Sequence, residues 1–211
     1  MAILGRGDLI KRLRDSSLVV SPLLSRAQIG AASIDLRIGN LVLMVRARGS
    51  SHVDPRMAKH AALFPDRHDA EVSKRQKHER YEIPFHSQFL VHPGNLALVP
   101  TLEWLKLPHD IHGSVTARST WAREGLSIAT ATFIEPRYEG TATLELANMG
   151  QIPIALYPGM RVAQIAFTSV SGDTLRPDGD QFKMSFEPRQ GTIADKDDFP
   201  FIPDIKAPGS D

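Results

Sequence analysis

The sequence predicts an all-β protein, a barrel or sandwich with a few short helices. Three observations point there: the alternating apolar-polar runs are short, they recur at close intervals between Gly and Pro turns, and no helical period separates them. Phe89-Leu90-Val91 leads into the turn His92-Pro93-Gly94, after which 96–99 and 103–107 alternate. Residues 141–146, 152–156 and 161–167 repeat the pattern around Tyr157-Pro158-Gly159. A parallel sheet would need a crossover helix between such strands.

Composition narrows the class further. The chain has 211 residues, 42% of them hydrophobic, which suits one domain with a real core. A formal net charge of +1 gives no global field toward nucleic acid or membrane, so anion binding has to come from local clustering. No apolar run is long enough to span a bilayer, and the first residues lack a basic region followed by an apolar core. A cytoplasmic protein with neither nucleic-acid nor membrane partners is expected. Cysteine is absent. That excludes a disulfide framework, a cysteine nucleophile, an Fe–S cluster and a thiolate zinc site, including the His/Cys/Cys centre of zinc nucleobase deaminases.

In chain order, 8–15 place Leu9, Ile10 and Leu13 on one helical face, with Asp8 as N-cap or first-turn acid. Leu18-Val19-Val20 reads as a brief strand. Residues 32–38 alternate, and 41–45 form a second strand after the turn Gly39-Asn40. Asp35 and Arg37 share the face opposite Ile34, Leu36 and Ile38, either as a solvent-facing ion pair or near a site. Residues 46–80 read as a long, partly mobile excursion. Five of the eight histidines lie between His52 and His86, without a zinc-binding spacing. Among the later strands only 119–124 look helical. After Gly172 the chain turns polar and rich in Pro and Gly, a mobile tail or a lid over substrate. The expected organisation is one domain over 1–191, with 172–191 as its lid segment and 192–211 as a polar tail.

The chemistry concentrates between Arg118 and Asn148. Arg118-Ser119-Thr120 sets a guanidinium and two hydroxyls where a strand meets a helical turn, and Arg123 follows one turn later. This is a phosphate-binding set or a capped helix with surface arginines, and it is not a Walker A loop. With Ala142, Leu144 and Leu146 facing the core, Thr141, Thr143 and Glu145 share the other face. Glu145 is then a water-activating base or half of an ion pair, and Glu135, before Pro136, is a second candidate.

Together these residues resemble the deoxycytidine triphosphate (dCTP) deaminases of the trimeric dUTPase superfamily. The resemblance runs from about Leu9 to Gly191. It rests on Ala32-Ser33-Ile34-Asp35-Leu36-Arg37-Ile38-Gly39, His92-Pro93-Gly94, Arg118-Ser119-Thr120-Trp121-Ala122-Arg123-Glu124-Gly125-Leu126, residues 134–140, Leu144-Glu145-Leu146-Ala147-Asn148, and Pro158-Gly159-Met160 with Gln164. It implies a distorted jelly-roll, dUTPase-like β-barrel and a homotrimer with sites between subunits. It also implies zinc-independent deamination of dCTP to dUTP and ammonia, with no metal site on the protein and Mg²⁺ carried by the nucleotide triphosphate.

By resemblance Glu145 is the general base for attack on cytosine C4, and Arg123 and Ser119 position water and substrate. Arg118 and Thr120 hold the triphosphate, the backbone around Ala131 reads the base, and Glu135 meets the sugar. Arg189 and Gln190 are lid contacts. Phe133 stands where bacterial deaminases carry an arginine, Glu135 where the family prefers aspartate, and Arg137 where a glycine usually follows the proline. Asp178 and Ser185 replace a tyrosine and a lysine of the tail. A bifunctional enzyme releasing dUMP and pyrophosphate, and a catalytically weak nucleotide-binding homologue, are the alternatives.

Overall fold

A computed structural model describes residues 2–45, 78–129, 133–172, 174 and 185–188. The chain divides into two units, one of Met1–Met44 with Arg80–Arg189 and the other of Val45–Glu79 with Gln190–Asp211. The histidine-rich stretch from 46 to 77, most of the expected lid segment and the tail from 192 lie outside the described residues.

The architecture is all-β, as the alternation predicts. Helix α1 (Arg6–Arg14) buries Leu9 completely and packs Leu13 on the core. It begins two residues earlier than expected, with Gly5 at the cap position, so Asp8 acts as a first-turn acid while Lys11, Arg12 and Arg14 occupy the last turn. Both ends suit the helix dipole. The described residues form twelve strands: β1 (Val19–Ser21), β2 (Ile34–Arg37), β3 (Leu41–Val45), β4 (His78–Glu82), β5 (Phe89–Val91), β6 (Leu96–Lys106), β7 (Ile111–Ala117), β8 (Leu126–Ile128), β9 (Phe133–Ile134), β10 (Glu139–Asn148), β11 (Ile154–Leu156) and β12 (Arg161–Ser169). A five-residue helix, α2 (Ser119–Arg123), separates β7 from β8.

One sheet runs β4-β3-β6-β10-β8, with β1 also paired to β6. A second runs β2-β12-β7-β9, and β5 and β11 form a separate pair. Both sheets contribute to one hydrophobic cluster, through Val99 and Leu144 from the first and Leu36, Ile165 and Phe167 from the second. The alternation is the cause: each of these strands turns one apolar face inward.

Strand β6 departs from the expectation of two strands, 96–99 and 103–107. It is continuous through Pro100 because the ladder bulges there. Thr143 stands opposite Pro100 and Thr141 opposite Trp104, so Thr101, Leu102 and Glu103 face Ala142 alone. Proline has no N–H to give a ladder and is tolerated at such a bulge. The Thr101 hydroxyl repairs the gap, accepting from the Ala142 N–H at 3.0 Å and donating to the Glu103 carbonyl at 2.8 Å. Thr141 is covered by Ser185, whose carbonyl takes its N–H and its hydroxyl. It is buried, whereas Thr143 and Glu145 keep the half-exposed face expected of all three. No helix among the described residues is long and apolar enough to cross a membrane.

Candidate active site

The described candidate residues between Arg118 and Asn148 lie on α2, on β10 and on the turn before it. Arg118 caps α2 in an extended conformation, and its N–H donates to the Val162 carbonyl at 2.9 Å. Trp121 turns inward from the same short helix and donates its indole N–H to the Arg161 carbonyl at 3.1 Å. With that side anchored, Ser119, Thr120 and Arg123 are exposed. None of the three side chains makes a hydrogen bond or ion pair among the described residues. A cation and two hydroxyls are thus presented outward, beside the partly exposed guanidinium of Arg118.

The chain leaves α2 through Gly125, at φ +89. A Cβ there would lie 2.7 Å from the backbone nitrogen of Gly150, so only glycine fits. Strand β8 then pairs with β10, Leu126 opposite Asn148 and Ile128 opposite Leu146. The Ala129 N–H donates to the Glu145 carbonyl at 2.7 Å. Glu145 therefore sits half-buried in the middle of β10, its backbone bracketed by β8 on one side and by Leu98 of β6 on the other. A carboxylate on a strand paired on both sides is a rigidly placed base. Ala131, expected to read the base, lies in 130–132, outside the described residues, as do Arg189, Gln190 and Asp178.

Asn148 fastens the end of β10. Its amide donates to the carbonyls of Val91 and Ile152, both at 2.8 Å, and its Oδ1 accepts from the Gly150 N–H at 2.8 Å. Gln164, on β12, accepts from the Ser33 hydroxyl at 3.3 Å.

Phe133 and Glu135 flank the turn into β10. Phe133 is exposed and its ring stacks on His112, with centroids 4.5 Å apart and planes 19° from parallel. Glu135 is exposed. Its carbonyl closes a turn with the Tyr138 N–H, in which Arg137 takes φ +66 after Pro136. That is the pattern of a type II turn, whose third position favours glycine. Arg137 occupies it with strain.

Three features went unread in the sequence. Asp35 does not pair with Arg37: its carboxylate bridges Arg118 and Arg161, at 3.2 Å each. Arg37 instead donates a guanidinium N–H to the Gly159 carbonyl at 2.6 Å. Glu103 is wholly buried, accepting from Gln28 Nε2 at 3.0 Å and from the Arg37 N–H at 2.8 Å. Burial pushes its carboxyl above the ordinary range, against the opposing pull of those donors. A signal existed, since Glu103 has the same parity as Leu105 and Leu107, both buried. Ser185 is buried against β10, its carbonyl taking the Thr141 backbone N–H and hydroxyl at 2.9 Å each.

The sequence model of the family described as "dCTP deaminase-like" matches residues 3–170. The chain belongs to that family. Among its relatives, a protein from Methanosphaera stadtmanae named "dCTP deaminase, dUMP-forming" is 35% identical over 186 residues, 88% of each chain. The dCTP deaminase of Actinobacillus succinogenes is 34% identical over 190 residues, covering 90% of this chain and 94% of that one. The crystal structure of 2′-deoxycytidine 5′-triphosphate deaminase from Agrobacterium tumefaciens shares the fold, with a TM-score of 0.56 at 23% identity. The match covers 78% of this chain and 47% of that longer one. The family match thus takes in α2, Glu135 and Glu145, and leaves out Arg189 and Gln190.

Proposed function

We propose that this member of the dCTP deaminase-like family hydrolyses dCTP to dUTP and ammonia, with Glu145 as general base. The observation that carries the proposal is the setting of Glu145, half-buried on a strand paired on both sides, in the same folded segment as the outward Arg118, Ser119, Thr120 and Arg123. Relatives aligned over most of their length are named for this reaction.

The chemistry balances with one water and no redox partner. Glu145 takes a proton from water as its oxygen adds to C4, and that proton passes to N3. The second proton of the new hydroxyl then moves to the amino group, the C4–N bond breaks, and ammonia leaves a C4 carbonyl. Arg123 and Ser119 position the water and the developing charge. Arg118 and Thr120 take the triphosphate, which carries Mg²⁺ as part of the substrate. Ala131 meets the base edge, Glu135 the sugar, and Arg189 and Gln190 contact the phosphates from the C-terminal segment. The working assembly is a homotrimer with its sites between subunits.

A second reading is bifunctional: a further water cleaves the triphosphate of dUTP to dUMP and pyrophosphate, with Glu135 as its base. The dUMP-forming name of relatives such as the Methanosphaera protein favours it. Glu145→Gln separates base from binding. Ammonia release should fall by about three orders of magnitude or more while calorimetric binding of dCTP persists; a variant that still turns over would remove Glu145 from the role.

A further inference from the structure

We propose that Asp35 is a positioning residue, holding the Arg118 guanidinium in one orientation for the polyphosphate of a nucleotide. The inference rests on the assignment of Arg118 to the phosphates and extends it to a residue with no assigned role.

Asp35 lies on β2, and its side chain is only 14% exposed. Its two oxygens are divided between two cations. Oδ1 meets Arg118 Nε at 3.2 Å and Oδ2 meets Arg161 Nη1 at 3.2 Å. Arg118 is held by a second contact, Nη1 donating to the Arg161 carbonyl at 3.4 Å. Nε and one amino group are therefore committed to the protein. The other, Nη2, has no partner among the described residues, on a side chain 32% exposed next to the outward hydroxyls of Ser119 and Thr120.

The backbone that carries this carboxylate is itself fixed. The Gln28 amide donates to the Asp35 carbonyl at 3.2 Å and to Glu103 at 3.0 Å, and Glu103 holds the Arg37 N–H two residues on. Strand β12 pairs Gln164 with Asp35. A guanidinium braced this way gives up little rotational freedom when an anion arrives, which is how a planar donor fork gains affinity. Two arginines on one carboxylate also leave the trio with one net positive charge, so Asp35 orients the cation without cancelling it.

The test measures calorimetric affinity for inorganic tripolyphosphate in the full-length wild type, Asp35→Asn, Asp35→Glu, Arg118→Gln and the Asp35→Asn/Arg118→Gln double variant. Deamination of dCTP and of dCMP is followed in parallel. Asparagine keeps the shape and glutamate the charge, so one of the two serves if the other misfolds. Positioning predicts a loss of about tenfold in tripolyphosphate affinity for each Asp35 variant. The double variant should bind no more weakly than Arg118→Gln alone, because the two residues act as one unit. The preference for dCTP over dCMP should shrink by the same factor.

Unchanged or tighter binding in both Asp35 variants would overturn the proposal, and tighter binding would show the carboxylate competing with phosphate. Additive losses would also overturn it, as would a wild type that does not bind tripolyphosphate. The deaminase reading fails on a different result, a wild type that binds tripolyphosphate and releases no ammonia from dCTP.

Discussion

The carbonyl of Ser185 accepts both the backbone N–H and the hydroxyl of Thr141, each at 2.9 Å, and so pins the C-terminal segment to the start of β10. Phe186 follows with its ring 4.5 Å from that of Trp104, and Glu187 pairs with Arg80 at 2.9 Å. Gly140 completes the seat, at φ +153 and close enough to Ser185 that a Cβ would lie 3.3 Å from its backbone. Ser185 stands where the family resemblance expected a phosphate-gripping residue, and its backbone is engaged with its own strand. Thr141→Val removes one of two donors to a buried carbonyl and should cost about 1 kcal/mol. Limited proteolysis should then cut near 185 faster, with the β10 core still intact; an unchanged cleavage rate would mean the contact does not hold the segment.

Among the described residues of the site, Arg137 is the one non-glycine residue with a left-handed backbone. Its φ of +66 follows Pro136 in a turn whose third position suits glycine. Arg137→Gly relieves the left-handed penalty of about 1–2 kcal/mol, while glycine's greater freedom when unfolded returns about 0.5–1 kcal/mol. A net gain of several tenths to about 1 kcal/mol should appear in chemical denaturation. A loss would show that the arginine side chain makes a compensating contact.

Glu103 should give the stability a pH signature. Because burial raises its folded pKa, the folded chain keeps a proton that the unfolded chain gives up near 4.5. Stability from this group is therefore greatest below that value, falls as pH rises to the raised pKa, and is flat beyond it. Glu103→Gln should abolish that fall. It should also cost about 1–3 kcal/mol near neutrality, since an amide would set a donor against either Gln28 or the Arg37 N–H. Gln28 cannot flip to help: its Oε1 already accepts from the N–H groups of Leu24 and Ser25. Thermal melts of both proteins across pH would check the slope and the offset together.

Asn148 locks the end of β5 to the connection between β10 and β11. Asn148→Ala leaves the carbonyls of Val91 and Ile152 and the Gly150 N–H without their partner. The expected loss is about 2–4 kcal/mol, read from urea denaturation. Loss below about 1 kcal/mol would mean that water replaces the side chain at little cost.

These residues also mark what could be read in advance. Ala142, Leu144 and Leu146 alternate inward as the period requires, so β10 and the half-exposed place of Glu145 were legible. The burial of Thr141 was not, because it comes from Ser185, 44 positions further along the chain. Pro100 looked like a strand end because the bulge that admits it, three residues of β6 opposite one of β10, depends on register, which periodicity within one strand does not carry. Asp35 was placed on the correct face, but its partners are 83 and 126 positions away in the chain, at Arg118 and Arg161, and proximity in sequence suggested Arg37 instead. The arginine–hydroxyl turn was legible because its residues are consecutive. The residues that brace it were not, because they are brought together only by folding.

The central claim is the reaction. Purified protein incubated with dCTP and Mg²⁺, with ammonia, dUTP, dUMP and pyrophosphate followed together, tests it directly. Ammonia and dUTP in equal amounts are the predicted result, and dUMP with pyrophosphate alongside the ammonia would move the assignment to the bifunctional enzyme. Tight binding of dCTP with no ammonia at all would contradict deamination and leave a nucleotide-binding homologue.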